Sequence, residues 1–357
     1  MRAPNVAVVG ATGAVGGVLL GILAERGFPI ANLRLLASKR SVGRTITFAG
    51  RDYQVEELRE DSFVGIDLVF SAAGGSIARW FAPHAVAAGA IVIDKSSAWR
   101  YEPEVPLVVP EVNGDELSRH RGIIACPNCS TIQMVMALAP IDKAFPISRV
   151  VASTYQAVSG AGAAAMAELA QQISDIGGGR TPQASVLPRQ IAQNVVPEVE
   201  TFRPEDGYTS EEWKMAAETR KIMARPELRI SATCVRVPVA RGHSESINLE
   251  FDQPVDVDAV RELLANASGI QVVDAPMDKP PRYPTALDAD GNDNVWVGRI
   301  RRDVSTENGL CLWVVSDNLR KGAATNSVQI AEQLLARDLL ARDLLAPAAP
   351  DAELART

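Results

Sequence analysis

A Rossmann-type α/β domain followed by an α+β domain is the fold class predicted by three observations. A strand, a glycine-rich turn and a helix open the chain; buried-type strands then alternate with helical patterns to about residue 128; beyond it the strands alternate in polarity. The 357 residues are long for one domain and comfortable for two. With 47% hydrophobic and 22% charged residues the composition is that of a globular protein. A net charge of −7 argues against nucleic acid as a partner, so an anionic substrate would need a local cationic pocket. Neither a membrane-length apolar run nor a signal-peptide pattern before Val6–Val9 is present, and four cysteines do not make a disulfide scaffold. A cytoplasmic location is therefore expected.

Val6-Ala-Val-Val reads as a short buried strand, and Gly10-Ala-Thr-Gly-Ala-Val-Gly16-Gly17 leads into a helix with apolar Val18, Leu19, Ile22 and Leu23. Such glycines let a backbone approach a pyrophosphate while the helix N-terminus faces it, so the turn that begins at Gly10 and contains Gly13 is a candidate cofactor contact. The spacing is GxxGxxG; its position between strand and helix gives it meaning. The next strand, Leu33–Ala37, ends in Ser38-Lys-Arg40-Ser41. An NAD site places an acidic residue there for the ribose 2′-hydroxyl, whereas hydroxyls and cations suit a 2′-phosphate, so NADP(H) is the expected cofactor. Further strands are expected over 66–73 and 90–94 with a helix near 76–88 between them. Ala73 and Gly74 at one strand end, and Asp94–Arg100 at the next, would line the ligand crevice, with Arg100 a candidate anion clamp.

Ile123-Ile-Ala-Cys126-Pro-Asn128-Cys129 ends a strand and starts a helix. Asn128 suits the N-cap and Pro127 fits inside neither element, so Cys129 falls at a helix N-terminus, where free N–H groups favour a thiolate and can cradle an oxyanion. Cys126 and Cys129 form a CxxC. Zinc needs further ligands, and no second Cys/His pair exists among Cys234, Cys311, His84, His120 and His243; a dithiol pair normally sits on a small domain without a dinucleotide fingerprint. Cys126 is read as a small apolar filler, with reversible oxidation to Cys129 left open. A cysteine beside a nicotinamide site suggests aldehyde–acyl interconversion, because a thioester remains electrophilic enough to accept hydride.

Beyond this helix, a strand is expected over 148–156, then a turn at Ser159–Ala163 into a helix ending near 176. A capped helix should begin at Thr209 or Ser210, strands span 230–239 and 245–251, two more span 296–302 and 310–316, and a helix over 323–335 closes the fold. His243, between Gly242 and Ser244, is expected in an exposed tight turn as the acid/base. The repeated Ala-Arg-Asp-Leu-Leu at 336–345 should lengthen the last helix, and the Ala/Pro-rich residues 346–357 read as a disordered tail.

The motifs GATGAVG at 10–16, Asp94–Arg100, VPEVN at 109–113, ACPNCSTIQ at 125–133, TYQAVSGAG at 154–162, 207–214, TCVRVPVARGHSES at 233–246 and 314–329 together resemble aspartate-β-semialdehyde dehydrogenase. The resemblance runs from the first strand to about Leu335. It implies an NADP-binding domain of residues 1–128 and 322–345, and a catalytic and dimerisation domain of residues 129–321. It implies Cys129 as nucleophile, His243 as acid/base, and Gln156 orienting the substrate. Arg236 would grip an α-carboxylate, Glu211 an α-amino group, and Arg100, Lys214 and Asn128 a phosphate. Ser159, Gly160 and Asn318 would join Thr12–Val15, Arg40 and Ser41 around NADP. The implied reaction is NADPH-dependent conversion of L-4-aspartyl phosphate to L-aspartate 4-semialdehyde and phosphate by a homodimer. It would serve lysine, threonine, methionine, isoleucine and diaminopimelate synthesis. Gln193 departs from the aromatic residue such sequences often carry. The alternatives are another acyl-phosphate reductase, such as one for N-acetylglutamyl phosphate, and a non-catalytic NADP-binding scaffold; a carboxylate at Glu211 would be of no use to an acetylated amine.

Overall fold

The computed structural model describes residues 2–340. Two sheets organise them. The first gathers β1 (Asn5–Val9), β2 (Asn32–Ala37), β3 (Thr45–Phe48), β4 (Arg51–Glu57), β5 (Leu68–Ser71), β6 (Ile91–Asp94) and β7 (Ile123–Ala125) in the order β3-β4-β2-β1-β5-β6-β7. All pairs are parallel except the β3–β4 hairpin. From β1 the chain winds to β2 on one side and to β5 on the other, which opens a crevice at the carboxyl ends of β1 and β5. Helices α1 (Ala14–Glu25) and α2 (Gly75–Ala87) cover the sheet, and the short α3 (Pro110–Asn113) precedes β7. Full burial of the β1, β5 and β6 side chains accounts for their continuous apolar runs. The β3–β4 hairpin was not legible, because its strands are largely exposed and polar.

Helix α4 (Cys129–Ala144) bridges to the second sheet, which contains β8 (Ile147–Gln156), β9 (Arg229–Arg236), β10 (His243–Phe251), β11 (Ile270–Val272), β12 (Val295–Arg302) and β13 (Gly309–Ser316). Its order is β11-β12-β13-β10-β8-β9, with β8–β9 and β11–β12 parallel and the rest antiparallel. Around it lie α5 (Ala163–Gly177), α6 (Ser210–Ile222), α7 (Val257–Ala265) and α8 (Ala286–Ala289). One apolar core joins α4 (Ile132, Met136) to the sheet through Ile247, Leu249 and Val314. Gln193, exposed and at φ 58°, sits in a loop beyond α5.

The closing helix α9 (Thr325–Ala336) returns to the first sheet, where Val328, Ala331 and Leu334 share a core with Val6, Leu19 and Leu23. A turn of π-helix over Arg320–Ala324 leads into it. The repeat at 336–345 does not lengthen this helix as expected: Arg337 caps it and Asp338 turns left-handed at φ 56°. The second half of the repeat and the tail at 346–357 lie outside the described residues. Among the described residues no helix is long and apolar enough to cross a membrane.

Candidate active site

Asn128 caps α4 as its sequence suggests, its Oδ1 accepting from the N–H groups of Ser130 (2.9 Å) and Thr131 (3.4 Å). Cys129 is thereby the first residue of the helix, half-buried on the wall of a cavity of about 660 Å³. Asn128, Gln156, Glu211, Arg236 and His243 line the same cavity. The opposite face of Cys129 is closed by the π-helical turn: a Cβ on Gly322 would lie 2.9 Å from the cysteine Cβ. No local signal points to this contact, because Gly322 lies far along the chain from Cys129.

Three of these lining residues, Asn128, Gln156 and Glu211, are tied to one another, and Arg236 and His243 are both held by the Ala157 backbone. Asn128 Nδ2 donates to both oxygens of Glu211 at 2.9 Å, and Gln156 Nε2 donates to Glu211 Oε1 (3.0 Å) and Ser130 Oγ (2.6 Å). The cap of the cysteine helix therefore also aims the Glu211 carboxylate. Thr209 starts α6 with a reciprocal capping box to Glu212, which fixes Glu211 one residue inside the helix. Arg236, at the end of β9, donates from Nη1 to the Ala157 carbonyl at 2.8 Å.

His243 departs from expectation. It is the first residue of β10 rather than part of an exposed turn, and it is fully buried. The positive φ of Gly242 (90°) turns the chain so that the imidazole points inward. Its Nδ1 accepts from the Ala157 N–H at 3.1 Å, while Nε2 has no partner among the described residues. Burial, then Arg236 and Lys95, holds the ring well below its ordinary pKa, so it is neutral and its proton resides on Nε2. A Cβ on Gly160 would lie 2.9 Å from Arg236 Nη1 and 3.3 Å from His243 Nε2, so glycine lets the backbone lie directly against both side chains.

The thiolate expected of Cys129 is opposed in this state. Burial and the Glu211 carboxylate push the thiol above its ordinary pKa, and Lys95, Arg236 and Arg100 pull against them. A helix N-terminus alone does not outweigh desolvation.

The candidate phosphate residues come together but are already engaged. Arg100 makes a buried ion pair with Glu218 (2.9 Å), which also accepts from the Asn128 N–H. Lys214 pairs with Glu200 and lies 3.6 Å from Glu211, as their three-residue spacing implies. Neither Arg100 nor Lys214 lines the cavity, whereas Glu200 does. Glu200, which stands at φ 66° in the loop before α6, has no local sequence signal that marks it as a site residue.

The candidate cofactor residues fall in two groups. Gly10 (φ 81°) passes so close to β5 that a Cβ would meet the Ala72 carbonyl at 2.9 Å, and one on Gly16 would strike the Gly10 oxygen at 2.3 Å. Gly13 caps α1 ahead of Ala14 and Val15, and Thr12 Oγ1 lies 3.3 Å from Ser41 Oγ, joining the glycine turn to the end of β2. Ser38 caps the 3₁₀ turn Lys39–Ser41; Lys39 and Arg40 are exposed and have no ion-pair partner among the described residues. Ala73 and Gly74 lead into α2. In the second group, Ser159 Oγ donates to Asn318 Oδ1 (3.0 Å), which also accepts from the Gly242 N–H. A close-approach glycine turn and free cations at the end of β2 fit a dinucleotide carrying a 2′-phosphate.

A family model described as the semialdehyde dehydrogenase NAD binding domain matches residues 5–120, and one described as the semialdehyde dehydrogenase dimerisation domain matches 138–321. An aspartate-semialdehyde dehydrogenase of Aquifex aeolicus is 52% identical over 335 residues, covering 93% of this chain and 98% of that protein. This chain belongs to the aspartate-semialdehyde dehydrogenase family. A crystal structure of aspartate semialdehyde dehydrogenase II from Vibrio cholerae, complexed with ASA, aligns with a TM-score of 0.91 at 45% identity, covering 94% of this chain and 99% of that one. The Candida albicans aspartate semialdehyde dehydrogenase with NADP aligns at 0.73 and 28% identity over 95% of this chain and 100% of that one.

Proposed function

We propose that the chain reduces L-4-aspartyl phosphate to L-aspartate 4-semialdehyde with release of phosphate, as a cytoplasmic homodimer using NADPH. The observation that carries this reading is Cys129 at a helix N-terminus, in one cavity with a carboxylate, a guanidinium and an unpaired imidazole Nε2. The match to a dimerisation domain supports the homodimer, and the NADP-bound relative supports the cofactor. Glu211 and Arg236 suit the α-ammonium and α-carboxylate of an amino-acid substrate, which favours the aspartyl compound over an N-acetylated one.

The Cys129 sulfur attacks the acyl carbon, and the bond to the phosphate oxygen breaks to leave a thioester. NADPH supplies the hydride that reduces it. The resulting oxyanion collapses, the C–S bond breaks, and aldehyde and thiolate separate. His243, presenting Nε2–H, is placed in this reading as the donor to the oxyanion. Accepting the cysteine proton at Nε2 requires the ring proton to move to Nδ1, which breaks the bond from the Ala157 N–H. Gln156 orients Glu211, and Arg100, Asn128 and Lys214 receive phosphate once their carboxylate partners yield.

The test is phosphate-dependent NADP⁺ reduction with two aldehydes. L-aspartate semialdehyde should be turned over and N-acetylglutamate semialdehyde should not; the reverse preference would assign the chain to the other acyl-phosphate reductase, and no turnover of either would favour a scaffold.

A further inference from the structure

We propose that the Arg241–Asp317 ion pair is a positioning device that holds the His243 imidazole against Cys129 for acyl transfer. The proposal rests on reading Cys129 as the nucleophile and His243 as its acid/base.

These two side chains arrive from distant parts of the sequence, at the starts of α4 and β10, and line one cavity. The residues that join them lie where β13 ends. Ser316 pairs with His243 across the β10–β13 ladder, and its Oγ donates to Gln133 Oε1 (2.6 Å), one turn along the cysteine helix.

Asp317 comes next and is fully buried. Arg241 Nε donates to its Oδ1 at 3.0 Å and Nη2 lies 2.8 Å from Oδ2, a two-point grip just ahead of His243. The Leu319 (2.9 Å) and Arg320 (3.2 Å) N–H groups also donate to Oδ1, and the Gly291 N–H donates to Oδ2 (2.9 Å). The Asp317 carbonyl accepts from the Gly322 N–H at 3.1 Å, and Gly322 is the residue packed on the Cys129 Cβ. Asn318 Oδ1 accepts from the Gly242 N–H at 3.1 Å, so the backbone entering His243 is held by both members of the Asp-Asn pair.

A buried carboxylate deprived of its guanidinium is strongly unfavourable. Its neighbours would move to compensate, and those neighbours carry His243 on one side and the wall of Cys129 on the other. The substrate clamps are fastened elsewhere, Arg236 to the Ala157 carbonyl and Glu211 to Asn128 and Gln156. Loosening the pair should therefore slow the chemistry without weakening substrate binding.

The burst of NADPH formed by the full-length enzyme from L-aspartate semialdehyde and NADP⁺ without phosphate reads the step concerned. The Cys129 sulfur adds to the aldehyde carbon, hydride passes to NADP⁺, and the thioester remains with one proton released. In Arg241→Met the burst rate at saturating semialdehyde should fall about ten- to hundredfold. The semialdehyde concentration giving half the maximal rate should stay within about twofold of wild type. Arg241→Lys, which keeps a cation against Asp317, should recover most of the loss. Arg241→Gln replaces the methionine variant if circular dichroism shows that one unfolded. A neutral variant that acylates at the wild-type rate overturns the proposal, as does a loss confined to the half-saturating concentration, or a lysine variant no faster than the neutral one. Wild-type enzyme that gives no burst, or carries the acyl group elsewhere than Cys129, would overturn the nucleophile reading itself, a separate and recognisable result.

Discussion

The glycine turn at the carboxyl end of β1 and the cavity beside β8–β10 are built on opposite principles. The turn takes its shape from what is missing: Gly10 and Gly16 leave room that any Cβ would fill, and the cations after β2 have no ion-pair partner among the described residues. The cavity is lined by Glu200, Glu211 and Arg236 and backed by Lys214, Arg100 and Glu218, and these charges are held by one another or by backbone. A site of the first kind is ready to receive its ligand. One of the second kind must exchange internal partners for substrate, so its residues should be more tightly coupled in their effects.

Four substitutions press on that contrast. Cys129→Ala should lower turnover by about 10⁴-fold or more while NADP binding, followed by fluorescence, is retained, because the glycine turn does not depend on the thiol. Arg236→Lys should raise KM for the semialdehyde about ten- to hundredfold, since lysine lacks the planar fork that grips a carboxylate bidentately while keeping the Ala157 carbonyl. Arg40→Ala should weaken NADP about tenfold and leave NAD binding as it was; equal loss for both would mean that Arg40 does not read the 2′-phosphate. The smallest effect is on stability. Glu245 is fully buried on β10, and burial, only partly offset by Gln133, raises its pKa well above the ordinary carboxylate value. The unfolded chain releases this proton above about pH 4.5 and the folded chain keeps it, so wild-type stability falls as pH rises beyond that point. Glu245→Gln removes the penalty: Tm should match wild type near pH 4 and exceed it increasingly toward pH 8.

The same contrast explains what could be read from the residues alone. Local rules suffice for β1–α1 and for Asn128–Cys129, because a glycine turn and an N-cap are written within a few neighbouring positions. They also place Glu211 and Lys214 on one face of α6. His243 was misjudged because its flanking glycine and serine read as a turn, whereas the burial comes from β8 and β13 on either side of β10. Glu200, Glu218 and Gly322 carry no local signature; their importance exists only once α4, α6 and the π-helical turn are packed together. The thiolate expectation failed for the same reason: helix position is local, but desolvation and the Glu211 charge are tertiary.

An acyl group carried by Cys129 is the central intermediate of the proposed reaction. Wild-type enzyme mixed with L-aspartate semialdehyde and NADP⁺ in the absence of phosphate should release one equivalent of NADPH per active site and stop. Peptide mass should then place the acyl group on Cys129, and added phosphate should discharge it. No burst, or an acyl group on another residue, would contradict the account.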